Sequence, residues 1–258
     1  MGCAECGQTL RREHSGMTPH YQFSGGLFAA LLFLAALLFF FVFLPVSIVT
    51  EAFFKLGLTP WQGVLALIVI VLGRSVNLPV FTSERLVMVP RPRTMTFGLD
   101  SEGRPMHIEQ EPVNELTKQV FAVNVGGCVL PILLSASLLF SAYSAQGNAL
   151  LAWVGFSTFT VAAGCYAMTK ADPFTGLRVP LFMPALMTFL SVFFFAPEPI
   201  RPVAAYVAGT IGTLLGGNVA ALLTPRIRNG VGTPLVSIGG AGTFGGVFLA
   251  GILAVLLA

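Results

Sequence analysis

From Gln119 to Thr169 the chain carries no Asp, Glu, Lys or Arg. A run of that length cannot coat a soluble protein, but it suits a chain whose solvent is hydrocarbon. One helical crossing takes about 20 apolar residues, so this stretch is too long for a single span. "SAYSAQGN" supplies a turn that divides it into two. Similar uncharged runs recur along the sequence. Leu27 to Thr50 is followed by an amphipathic tail, "EAFFKLG". A second begins near Pro60 and continues through "GVLALIVIVLG" to Arg74. Three more cover Val179 to Pro197, Pro202 to Pro225 and Asn229 to Ala258. Only 10% of residues are charged and the mean hydropathy is +0.83, whereas soluble domains carry about 25% charge. The reading is an all-α integral membrane protein with about seven transmembrane helices.

The basic residues orient these spans, because cytoplasmic loops retain Lys and Arg. With the N-terminus inside, twelve fall on the inner side, among them Arg74, Arg85, Lys118, Arg178 and Arg228. Only Lys55 and Arg201 fall outside. The expectation is a cytoplasmic N-terminus and an exterior C-terminus in a prokaryotic inner membrane. The first apolar run follows a polar head and lacks a small-residue cleavage site, so no signal peptide is expected. Cys6 stands where a myristoylation signal needs Ser or Thr.

Residues 1–25 form a polar tail, and 26–258 the membrane domain with a cytoplasmic insertion at 82–118. In the insertion, "TMTF" and "MHIE" flank "DSEG", which predicts a β-hairpin. Its mixed charges fit a solvated cap or a docking surface, and they give no basic footprint for nucleic acid. In the tail, Cys3 and Cys6 are spaced C-x-x-C in a reducing compartment, where such pairs bind metal or do redox chemistry more often than they form disulfides. His14 and His20 are the nearby residues that would complete a four-ligand zinc site. The alternative is a tail with two incidental cysteines. No other cofactor is expected.

Three stretches interrupt the helices: "GRSVNLP" at 73–79, "NVGGCVLP" at 124–131 and "SIGGAGTFGG" at 237–246. Irregular backbone at membrane depth is tolerated only where protein or a watery cavity satisfies it. A last helix starting near Thr243 is too short to span, which places the third break within the membrane. The candidate polar lining is Asn77, Asn124, Asn218, Ser237 and Thr243. Gly212 and Gly216 form a G-x-x-x-G that lets helix backbones approach. With Gly217, Gly240, Gly242, Gly245 and Gly246 they suggest that spans six and seven meet along glycines. Gly240, Gly242 and Gly245 also match a dinucleotide-loop spacing. That motif requires a following βαβ unit and an acid about 20 residues on, and the sequence after it is an uncharged span.

Intramembrane ionisable residues mark proton relays, ion paths and catalysis. Apart from Arg74 near the cytoplasmic face, the spans have essentially none. No paired carboxylates are available for acid–base work.

"VNLP", "VNVGG", "ADPFTG", "YVAGTIGTLLGGN" and "SIGGAGTFGGVFLAGILAVLLA" together resemble the uncharacterised prokaryotic multi-pass membrane proteins of domain of unknown function 1614. The resemblance covers the chain from the first span onward and leaves out the "CAECG" head. It implies a polytopic membrane protein and assigns no activity. It also implies that many relatives carry Asp at the positions of Asn218 and Gly245, a pair similar to that of intramembrane aspartyl proteases. With Asn and Gly there, this chain is expected to be a non-catalytic, divergent member. The favoured function is an accessory or scaffolding subunit that binds other membrane proteins. The alternatives are a transporter or channel for a neutral or anionic solute, and a degenerate protease relative.

Overall fold

The structure, a computed structural model, describes residues 25–90, 95–99, 105–109, 114–173 and 175–258. The tail with Cys3, Cys6, His14 and His20 lies outside the described residues. Two compact units divide at Leu44 and Pro45.

In the first unit, α1 (Gly25–Leu38) runs into a π-helical turn, Phe39–Phe43. Its side chains from Phe28 to Phe41 are exposed on every side, Phe41 by 76%. A helix that is apolar all round belongs in a membrane.

The second unit begins with α2 (Leu44–Lys55) and α3 (Pro60–Gly73). A capping box starts α3: the Thr59 hydroxyl accepts from Gln62 N, and Gln62 Oε1 accepts from Thr59 N at 2.8 Å. Next comes a ribbon of β1 (Asn77–Pro90) and β4 (Asn114–Asn124), with the hairpin of β2 (Met95–Leu99) and β3 (Pro105–Glu109) between them in sequence. After β4, a π-helical turn at Val125–Val129 leads into α4 (Leu130–Gln146). Gly147, at φ +66°, makes the sharp turn to α5 (Asn148–Met168). The short pair β5 (Lys170–Asp172) and β6 (Gly176–Arg178) precedes α6 (Met183–Phe195). Then α7 (Arg201–Leu214) passes through a π-helical turn at Leu215–Ala220 into α8 (Ala221–Leu223). The chain closes with α9 (Pro225–Asn229), β7 (Leu235–Ile238) and α10 (Phe244–Leu257).

The centre of this unit is α7, which packs against α4, α5, α6 and α10. Of the apolar window in Glu198–Leu223, 67% is buried, against 28% for α5. Among the described residues, four helices are long and apolar enough to cross a membrane: Phe28–Lys55, Val125–Gln146, Asn148–Met168 and Glu198–Leu223. Three shorter apolar helices, α3, α6 and α10, accompany them. Their outer surfaces carry Trp61, Leu72, Phe140, Phe159 and Phe194, all exposed. An apolar exterior over a packed interior is the arrangement a bilayer stabilises.

Two features depart from the all-α expectation. Residues 77–81 and 119–124, assigned from sequence to the ends of spans two and three, are parts of strands β1 and β4. The proposed seventh span, Asn229 to Ala258, is helical only from Phe244 onward apart from the end of α9, because β7 pairs in parallel with β4 through Ala122↔Ser237 and Val123↔Ile238. Hydropathy cannot separate an uncharged strand from an uncharged helix. Here Pro79 ends the helical option and the β-branched pattern "QVFAVN" favours pairing.

Candidate functional site

The three interruptions converge on the sheet β1–β4–β7. Each is built by a different local device. In the first, α3 ends at Gly73, and Arg74 covers the Phe244 ring with its guanidinium carbon 5.2 Å from the centroid. A cation at this position complements the helix C-terminus and shields an aromatic face. In the second, Asn124 caps the π-helical turn by accepting from Gly127 N at 2.8 Å. In the third, Gly239 adopts φ +74° to turn the chain from β7 towards α10.

Asn124 ties the first two together. Its Nδ2 donates to Arg74 O at 2.7 Å, to Val76 O at 3.3 Å and to Asn77 Oδ1 at 3.0 Å. The backbone of Val125 donates to Val76 O at 3.0 Å. Ser237, on β7, donates to the same Asn77 Oδ1 at 2.5 Å. Asn77 and Asn124 face each other at the first register position of the ribbon. One buried amide therefore closes the end of α3, the start of β1 and the start of the π-helical turn.

Asn218 organises a second cluster. Its Oδ1 accepts from Gly239 N at 3.3 Å and from the Thr243 hydroxyl at 3.2 Å. Both Asn218 and Thr243 are fully buried, and Asn218 Nδ2 has no hydrogen-bond partner. Of the five predicted polar residues, Asn77, Asn124 and Ser237 share one network and Asn218 and Thr243 share another. The turn after β7 adjoins both.

The glycines explain how the backbones come so close. A Cβ on Gly126 would collide with Ile70 O and Arg74 N, and one on Gly127 with Gly239 O. "VNVGG" is thus wedged between the end of α3 and the turn before α10. The G-x-x-x-G does not face α10 as expected. A Cβ on Gly216 would strike the Ala162 carbonyl, and one on Gly212 would meet Val161 at 2.8 Å, so this face of α7 lies on α5. The α7–α10 contact instead runs through Gly209 against Ala250 and Gly251 against Thr210. Helical rotation decides this, because Gly209 and Gly212 are three residues apart and need not serve one neighbour. Gly217, Gly242, Gly245 and Gly246 pack near residues 177–184, while Gly240 sits over Ser237.

The space around the junction is unequal. A small, largely apolar pocket between α3, α7 and α10 has a volume of about 10 Å³. Two grooves open at the sheet end. One, of about 510 Å³, is bordered by Asp172, Arg178, Leu181 and Gly245. The other, of about 410 Å³, lies between the β1–β4 ribbon and α8–α9. Sequence reading missed this second groove, since Arg85, Gln119 and Arg228 meet only through the fold. Among the described residues no group of three or more His, Cys, Asp or Glu is placed to hold a metal.

Apolar helices around a polar, glycine-lined junction define a helical membrane protein. The family described as Protein of unknown function (DUF1614) matches residues 71–257, and the chain belongs to it. No curated protein and no solved structure matches the chain.

Proposed function

We propose that this chain is a non-catalytic accessory subunit that crosses a prokaryotic inner membrane seven times. In this reading α3, α6 and α10 cross together with the four longer helices. Each of α3 and α10 is about 21 Å long at 1.5 Å per residue, short of a roughly 30 Å core. The β1–β4–β7 junction makes up the missing depth. The sheet faces the cytoplasm, and the end bearing Lys55 and Ala258 faces outward. Lys55 Nζ donates to Leu256 O at 2.8 Å, which puts those two at one end of the bundle.

The observation that carries the reading is how Asn124 is used. Its donor and acceptor groups are all engaged within the protein, tying broken backbone together. Neither polar cluster contains an ionisable side chain, and Asn218 and Gly245 supply no acid or base. Such a junction holds a scaffold in shape, and the β1–β4 ribbon offers a surface for other membrane proteins. Crosslinking in membranes followed by extraction in mild detergent tests this. Recovery of a defined partner supports the subunit role, and recovery of the chain alone overturns it.

A second reading, a transporter for a neutral or anionic solute, is favoured by the unbonded Asn218 Nδ2 and by the grooves at the sheet end. It requires Asn124→Ala and Asn218→Ala to abolish flux in proteoliposomes. Uptake no greater than in empty vesicles across a broad solute panel ends it.

A further inference from the structure

We propose that the groove between the β1–β4 ribbon and α8–α9 binds an anionic phospholipid, with the phosphate held by Arg85 and Arg228 and an acyl chain lying on Phe81, Phe121, Leu222 and Leu223. All six residues line the same cleft of about 410 Å³. The cationic part is pre-positioned. Arg85 donates from both terminal nitrogens, at 2.6 Å to Arg228 O and 2.7 Å to Asn229 O, so its planar head is fixed against the end of α9. A guanidinium held this way loses little freedom on meeting a phosphate. Arg228 follows Arg226 on the same short helix, and neither is paired with a carboxylate among the described residues. Two clustered cations facing one cleft favour an anion.

The apolar part excludes a purely aqueous ligand. Leu223 is 74% exposed and Phe81 62% exposed, and Phe81 lies 6.1 Å from Phe121, centroid to centroid. These side chains sit where the bundle gives way to the sheet. Phe121 and Leu222 rest on the small apolar cluster around Ala221, Val231 and Val236, and Phe81 and Leu223 extend that wall into the open beside the arginines. Cations above an apolar wall, at the end of a helical bundle, match a lipid whose headgroup is anionic and whose chains run into the bilayer. The proposal does not depend on whether the chain is a scaffold or a transporter.

Native mass spectrometry of the detergent-purified full chain provides the test. The probes are phosphatidylglycerol, phosphatidylcholine of the same chain length, and inorganic phosphate. Wild type is expected to retain phosphatidylglycerol in preference to phosphatidylcholine, and phosphate is not expected to displace it. Arg228→Ala should weaken the preference about fivefold, the effect of one interfacial cation, and Arg228→Glu should abolish it. Arg201→Ala, at the other end of the bundle, should leave it unchanged. Because Arg228 touches the network through its backbone carbonyl, these variants should elute as monodisperse wild-type-like particles. Equal retention of the two lipids, an unchanged preference in Arg228→Glu, or displacement by phosphate alone would each overturn the proposal.

Discussion

Asn124 Nδ2 donates to Asn77 Oδ1 across 3.0 Å, at the point where an antiparallel ribbon begins, α3 has just ended and the π-helical turn into α4 starts. The same nitrogen reaches Arg74 O, and the same side chain accepts from Gly127 N. Replacing it removes the side-chain partner of the buried Gly127 N and of Arg74 O, while Val76 O keeps its bond from Val125 N. Asn124→Ala is expected to destabilise the protein by about 1–3 kcal/mol, the cost of leaving such groups unsatisfied. Unfolding in mixed micelles measures this, and a wild-type midpoint would contradict the network.

Asn218→Ala should cost less than Asn124→Ala. It removes an acceptor from Gly239 N and Thr243, but it also removes a buried donor that has no partner. The two effects oppose each other, since an unpaired buried donor is itself unfavourable. The same unfolding assay ranks the two variants. The reverse order would show that Asn218 does more than hold the turn.

Two glycines on neighbouring helices should respond in opposite directions to alanine. At Gly216 the added methyl meets the Ala162 backbone, which cannot move aside as a side chain can, so a loss of about 1–3 kcal/mol is expected. Gly155 has nothing within 4 Å of a new Cβ. There alanine should be neutral or stabilising by up to about 1 kcal/mol, through reduced backbone entropy in the unfolded chain. Equal effects at both sites would mean that α5 and α7 do not touch as described.

The proposed orientation predicts which cysteines a membrane-impermeant maleimide reaches. With Cys3 and Cys6 changed to Ser, Lys55→Cys should label in intact cells and Arg228→Cys only after the membrane is opened. The opposite pattern would invert the topology. Loss of the Lys55 contact to Leu256 O should cost under about 1 kcal/mol, as expected for an exposed cation at a helix end.

What the sequence determined by itself is the solvent. Uncharged runs such as 119–169 call for a hydrocarbon environment, and most of the apolar helices lie within them, although 119–124 form a strand and the run at 229–258 is helical mainly from Phe244. The sequence marks Asn77, Asn124, Ser237, Asn218 and Thr243 as one polar lining, whereas the fold distributes them over two separate hydrogen-bond networks. The tertiary structure decided which of them are partners. Apolar periodicity is silent inside a membrane protein, where strand and helix, inward and outward face, all read as uncharged. Thus the parallel pairing of β7 with β4 escaped the sequence, as did the rotation that turns Gly212 and Gly216 towards α5. Arg85 and Arg228 are far apart in the chain, and only the closing of the ribbon over α9 brings them to one groove.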